Sequence, residues 1–147
     1  MNNLRFYALI LTVILSLNLS ARDFFIAPNG NDQNPGTKIQ PLASLNGARD
    51  LIRQLRSLGK LNEEVQVMVG NGLYFMTEPL LLTEQDSGTD TFPLIFRAEE
   101  GANPVFTGGI PIGNWEKVSD KVWKTKVPEV NRFGFYFEQL YVNGLRA

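Results

Sequence analysis

Apolar positions along this chain follow three different patterns. Residues 6–17 are almost continuously apolar, residues 45–58 carry apolar side chains three and four apart, and from residue 65 onward apolar residues come in short runs broken by Gly, Asn, Asp and Pro. The first pattern opens on Arg5 and gives way to small and polar residues at 18–21, the layout of an export signal. Its dozen or so apolar residues fall short of the roughly 20 that a helix needs to cross a bilayer. Residues 1–21 are therefore expected to be a signal peptide cleaved after Ala21. That leaves no stable membrane span and a secreted, periplasmic or cell-surface protein.

Residues 22–64 read as a strand, a loop and a helix. Phe24, Phe25 and Ile26 favour a strand over 23–27, which Pro28-Asn29-Gly30 ends as a turn signal. A polar stretch follows to Pro41. Ser44 suits an N-cap, because its hydroxyl can accept a hydrogen bond from a first-turn N–H. Leu45, Ala48, Ile52, Leu55 and Leu58 then fall on one helical face, with Arg49, Asp50, Arg53, Gln54 and Arg56 on the others. Gly59 suits the left-handed residue that ends such a helix, while Gly47 in the first turn costs about 1 kcal/mol relative to alanine.

Residues 65–109 divide into β-like runs at 65–69, 80–83, 94–97 and 105–107. Steps from Val67 to Leu81 to Ile95 to Val105 are 14, 14 and 10 residues, which favours an all-β arrangement. Such steps also suit successive faces of a coiled parallel solenoid, whose rungs cannot bury their inner side chains without a neighbour. A one-faced helix would then lie over the open first rung and block edge-to-edge aggregation. Residues 110–147 change character. Runs at 115–118 and 122–127 predict a hairpin with a turn around Ser119-Asp120-Lys121. Tyr141 and Val142 lead into Asn143-Gly144, a tight-turn dipeptide, with the partner strand beginning at Leu145.

Composition narrows the chemistry. The net charge of −1 becomes one unit more negative when Arg5 leaves with the signal, so nothing recruits nucleic acid. Without cysteine, an exported chain holds together by packing and hydrogen bonds. Without histidine, Ser-His-Asp triads and histidine-ligated zinc are excluded within this segment. Residues 30–38 do not have the spacing or the Gly-Lys-Ser/Thr order of a phosphate loop. Asn29, Asn31, Asp32 and Asn34 carry oxygens that suit Ca²⁺, but one carboxylate supplies little charge and these are ordinary turn formers, so no metal or cofactor is expected. Glu84 with Asp86 and Glu99 with Glu100 resemble carboxylate pairs of glycoside hydrolysis, but both pairs sit near turns and read as solvated charge. Trp115, Trp123 and Tyr141, with Tyr136, either stack on sugar rings as substrate-binding residues or fill the small core of the hairpin region.

A family resemblance attaches to specific residues. The run Phe25-Ile26-Ala27-Pro28-Asn29-Gly30-Asn31-Asp32, then Asn34-Pro35-Gly36-Thr37, Gln40-Pro41-Leu42-Ala43-Ser44-Leu45 and Ala48-Arg49 resembles the opening of many bacterial right-handed parallel β-helix proteins. Gly72-Leu73-Tyr74 with Pro79-Leu80 and Leu82 is similar to their first rung. Trp115, Val122-Trp123-Lys124 and residues 139–147 are similar to the insertion that carbohydrate-active members carry next. The resemblance implies an all-β, right-handed parallel β-helix start with an N-terminal capping helix and the beginning of a β-rich insert, from a protein whose partner is carbohydrate. Its relatives are fucosidase-, xylanase- and galactosidase-type glycoside hydrolases. Polysaccharide lyases and non-catalytic binding solenoids share the scaffold, and fold analogy alone does not choose among them. In such enzymes the catalytic groups project from later rungs, so they are expected beyond Ala147, and no residue here is given a catalytic role.

Overall fold

The computed structural model describes residues 21–127, 130 and 138–147. Nearly all of the expected signal segment, and Tyr136, lie outside the described residues. The chain divides into two compact units, Met1–Gly108 and Gly109–Ala147.

In the first unit the order is β1 (Arg22–Ile26), α1 (Leu45–Ser57), β2 (Val65–Val69), β3 (Gly72–Phe75), a 3₁₀ turn at Glu84–Asp86, β4 (Leu94–Ala98) and β5 (Pro104–Thr107). The unit is mainly β with one helix. Strands β1, β2 and β4 form one sheet in that order, β3 and β5 a second, and every pairing is parallel. Register follows the alternation of side chains. Phe24 lies beside Val67 and Val67 beside Phe96, while Ile26 lies beside Val69, so like-facing apolar residues stack across strands. Tyr74 lies beside Phe106. From β2 to β4 and from β3 to β5 the chain returns to the adjacent strand roughly 30 residues on.

This return is about twice the step expected from the apolar runs, because residues 80–83 form no strand. Leu81 and Leu82 are exposed, and the Leu81 carbonyl accepts from Arg49 Nη1 at 3.3 Å instead of from a neighbouring strand. The strand that lies between β2 and β4 in sequence is β3, whose residues 72–75 the apolar runs leave out although the family resemblance includes Gly72-Leu73-Tyr74.

Helix α1 starts and stops where its sequence dictates. Ser44 Oγ accepts from the Gly47 N–H at 2.9 Å. At the other end Gly59 takes a φ of +66°, the Lys60 N–H donates to Leu55 O and the Gly59 N–H to Arg56 O, the paired bonds of a Schellman cap. Ala48 and Ile52 are fully buried and join Phe24, Ile26, Leu42, Leu61, Val65, Val67, Val69 and Tyr74 in one core. The outer edge of β1 is closed by the loop before α1, a job the sequence reading gives to the helix. Phe25 N–H donates to Gly36 O, Leu42 N–H to Phe25 O and Ala27 N–H to Leu42 O, with a parallel bridge between Ile26 and Leu42.

The second unit contains two small antiparallel hairpins. Strand β6 (Glu116–Lys117) pairs with β7 (Trp123–Lys124), and β8 (Tyr141–Val142) with β9 (Leu145–Arg146). Asn143 and Gly144 have φ of 52° and 80°, the two left-handed positions of a type I′ turn. Among the described residues no helix is long and apolar enough to cross a membrane.

Candidate functional site

The polar faces of α1 are engaged by two different structures. One carries Arg49, Arg53 and Arg56, which fasten residues 81–87 to the helix. Arg53 makes a two-point contact with Asp86, Nε to Oδ1 at 2.7 Å and Nη2 to Oδ2 at 2.6 Å. Arg56 Nη1 donates to the carbonyls of Gln85 and Ser87. Asp86 is buried, at 7% exposure, and also accepts from the Thr83 N–H. Chiefly through the Arg53 hydrogen bonds, helped by Thr83 and opposed by burial, its carboxyl is held at about 2. The same contact raises Arg53. Asp86 is thus a buried structural anchor, where the sequence reading made it solvated loop charge. Its permanent ionisation unsuits it to donate a proton near neutral pH. Glu84 and Glu100 are exposed, and Glu99 pairs with Lys38 at 3.5 Å.

The other polar face of α1 borders a cleft of about 700 Å³. Asn46, Asp50 and Gln54, four residues apart, supply the helical wall; Gln33 and Asn34 extend it, and β3 with residues 76–78 and Phe106 lies opposite. Asn46 Nδ2 donates to Glu78 Oε1 at 3.1 Å, tying the two walls. Phe106 stacks on Tyr74, with ring centroids 4.9 Å apart. Tyr74 is fixed in turn, since its buried hydroxyl donates to the carbonyls of Gly70 at 2.8 Å and Ile26 at 3.2 Å. Burial, and secondarily the charge of Glu99, raises the Tyr74 pKa, so the hydroxyl keeps its proton. The aromatic wall is therefore preorganised.

The cleft also explains Gly47. A Cβ there would run into the carboxylate of Asp32. Asp32 Oδ1 accepts from the Ala43 and Ser44 N–H groups at 2.8 and 2.9 Å, and Oδ2 from the Ser44 hydroxyl at 2.7 Å. Asp32 is committed to the start of α1, and Asn31 Oδ1 accepts from the Gln33 N–H. These are the turn-forming roles of the stretch weighed for Ca²⁺. Among the described residues no group of three His, Cys, Asp or Glu side chains is placed to hold a metal.

The aromatic candidates lie in the second unit. Trp115, Trp123 and Tyr141 are 47%, 55% and 57% exposed, which does not fit the core-filling reading. The Trp115 indole donates to Ile112 O at 3.1 Å and the Tyr141 hydroxyl to Gln139 at 2.7 Å. Trp123 lies beside Lys117 across the hairpin. The residues missed at the sequence level are Asn46, Gln54 and Phe106. A second polar stripe at four-residue spacing on α1 was the available signal.

Comparison with known proteins bears on the fold. No family model matches the chain. It is 36% identical over 84 residues to a Bacillus subtilis (strain 168) protein described as "Uncharacterized protein YwoF", covering 57% of this chain and 15% of that protein. A solved structure titled "Glycoside hydrolase" superposes with a TM-score of 0.76 and 35% identity, over 86% of this chain and 21% of that one. Another, "The complex structure of XylC with xylose", gives a TM-score of 0.42 at 21% identity, over 69% of this chain and 14% of that one, too distant to bear on the site. The chain thus spans about a fifth or less of the length of the proteins it matches. Over most of its own length its fold is like that of a glycoside hydrolase.

Proposed function

We propose that this chain builds the closed start and first coils of a right-handed parallel β-helix in an exported glycoside hydrolase acting on oligosaccharide or polysaccharide. The observation that carries this reading is the stacking of β1, β2 and β4, and of β3 and β5, in parallel register with one circuit per strand. The superposition on a glycoside hydrolase at 35% identity supports it. The segment's role is to end the stack: the 36–42 loop closes the first edge, α1 covers the core, and Arg53 with Asp86 ties the helix to the circuit. Export rests on the sequence of residues 1–21. Trp115, Trp123 and Tyr141, exposed in the second unit, are its sugar-stacking candidates.

A chimera tests the scaffold role. With residues 21–108 in place of the matching start of the solved glycoside hydrolase, the hybrid is expected to melt cooperatively and to retain glycoside hydrolysis. A hybrid that is insoluble, or folded but inactive, while its parent works, would overturn the reading.

A further inference from the structure

We infer that the cleft beside β3 is a binding site for a neutral glycan, meaning a hexose or pentose chain without carboxylate or sulfate. The inference rests on the carbohydrate-active reading and goes further by naming a site and a ligand class. Phe106 is 37% exposed on one wall, and an aromatic face suits the C–H side of a pyranose. Phe106 is held in place by its stack on buried Tyr74. On the facing wall, Gln54 presents a side-chain amide with no hydrogen-bond partner among the described residues, next to Asp50 and Asn46. Sugar hydroxyls both donate and accept, which amides and carboxylates match.

The edge of β3 adds backbone groups. Because the Met76 N–H donates to Thr107 O, alternate residues Tyr74 and Gly72 face β5, and Leu73 and Phe75 direct their N–H and C=O groups toward the cleft. Charge sets the class. Asp32, Asp50 and Glu78 line the cleft and no Lys or Arg does, so a uronate or sulfated chain would bring its anions against carboxylates. Arg49 and Arg53, the nearest candidates to reverse this, are committed to Asn46 and Asp50, and to Asp86.

Titration of the full chain with neutral β-1,4-linked hexasaccharides of glucose, mannose or xylose, and with hexagalacturonate, tests the inference by calorimetry and amide chemical shifts. At least one neutral hexasaccharide is expected to bind and to shift amides of residues 73–78, with hexagalacturonate at least tenfold weaker. Phe106→Ala should weaken binding tenfold or more. Gln54→Ala, on an exposed helical position where folding is not at stake, should weaken it several-fold. Binding by hexagalacturonate as tight as by any neutral chain, shifts confined to other residues, unchanged affinity in Gln54→Ala, or no binding at all would each overturn the inference. None of these outcomes alters the result of the chimera, so the scaffold reading stands or falls separately.

Discussion

At the scale of single residues, Gly47 and Asp86 show how position overrides composition. Alanine in place of glycine inside a helix ordinarily stabilises by about 1 kcal/mol. Gly47→Ala should instead destabilise by about 1–3 kcal/mol, as overpacking does, because its methyl would displace the Asp32 carboxylate from the Ala43 and Ser44 amides. Denaturant melts decide it, and a rise in the midpoint would mean that Asp32 does not sit there. Asp86→Asn should cost roughly 2 kcal/mol at neutral pH, the scale of lost hydrogen bonds to a charged group. Its folded pKa of about 2 lies below the usual carboxyl value of 3.8, so the stability it contributes is full above about pH 4 and fades as pH falls toward 2. The melting-temperature gap between wild type and Asp86→Asn should close over that window. A gap that is constant from pH 6 to 2.5 would contradict the ion pair.

At the scale of elements, legibility tracked how local the cause was. Both ends of α1 could be read from Ser44 and Gly59, because caps act within a few residues, and Val65–Val69 alternates as a strand should. Residues 80–83 look equally β-prone, but whether they form a ladder depends on partners that sequence does not show; the Leu81 carbonyl accepts from Arg49 and Arg53 of α1. Asp86 read as loop charge for the same reason, since its partner lies 33 residues away. The cleft was legible only as an unclaimed polar stripe on α1. The loop that closes β1 makes a sharper test. A Cβ at Gly30 would meet the carbonyls of Leu42 and Pro41, which are backbone and cannot swing aside. Gly30→Ala should push residues 41–42 off β1. In hydrogen exchange, the amides of Ala27 and Leu42 should lose protection while that of Val67 keeps it. Equal protection at all three would show that the loop is not what closes the edge.

At the scale of the molecule, the two edges of the parallel sheets differ in how they are finished. At β1 the edge is paired with a loop and backed by a helix. At the other end, β4 and β5 each have a neighbour on one side only among the described residues, and Ile95 and Val105 stand 36% and 51% exposed on them. Parallel strands of this kind are templates for further strands, and a bare edge pairs with another copy when nothing else is offered. The chain should therefore self-associate through β4 and β5, with a sedimentation coefficient that rises with concentration. Lysine is how natural sheets blunt such an edge. Replacing both Ile95 and Val105 by lysine should cost little stability, since exposed positions usually tolerate change to within about 0.5 kcal/mol each, and should return the protein to a monomer. A wild-type chain that sediments as a monomer across the whole range, or a double-lysine variant that associates as before, would place the assembly surface elsewhere. Because β1 is already closed, matching lysines at its end of the sheet, such as Asp23→Lys, should leave association unchanged. That asymmetry separates growth at one edge of the parallel sheets from general stickiness.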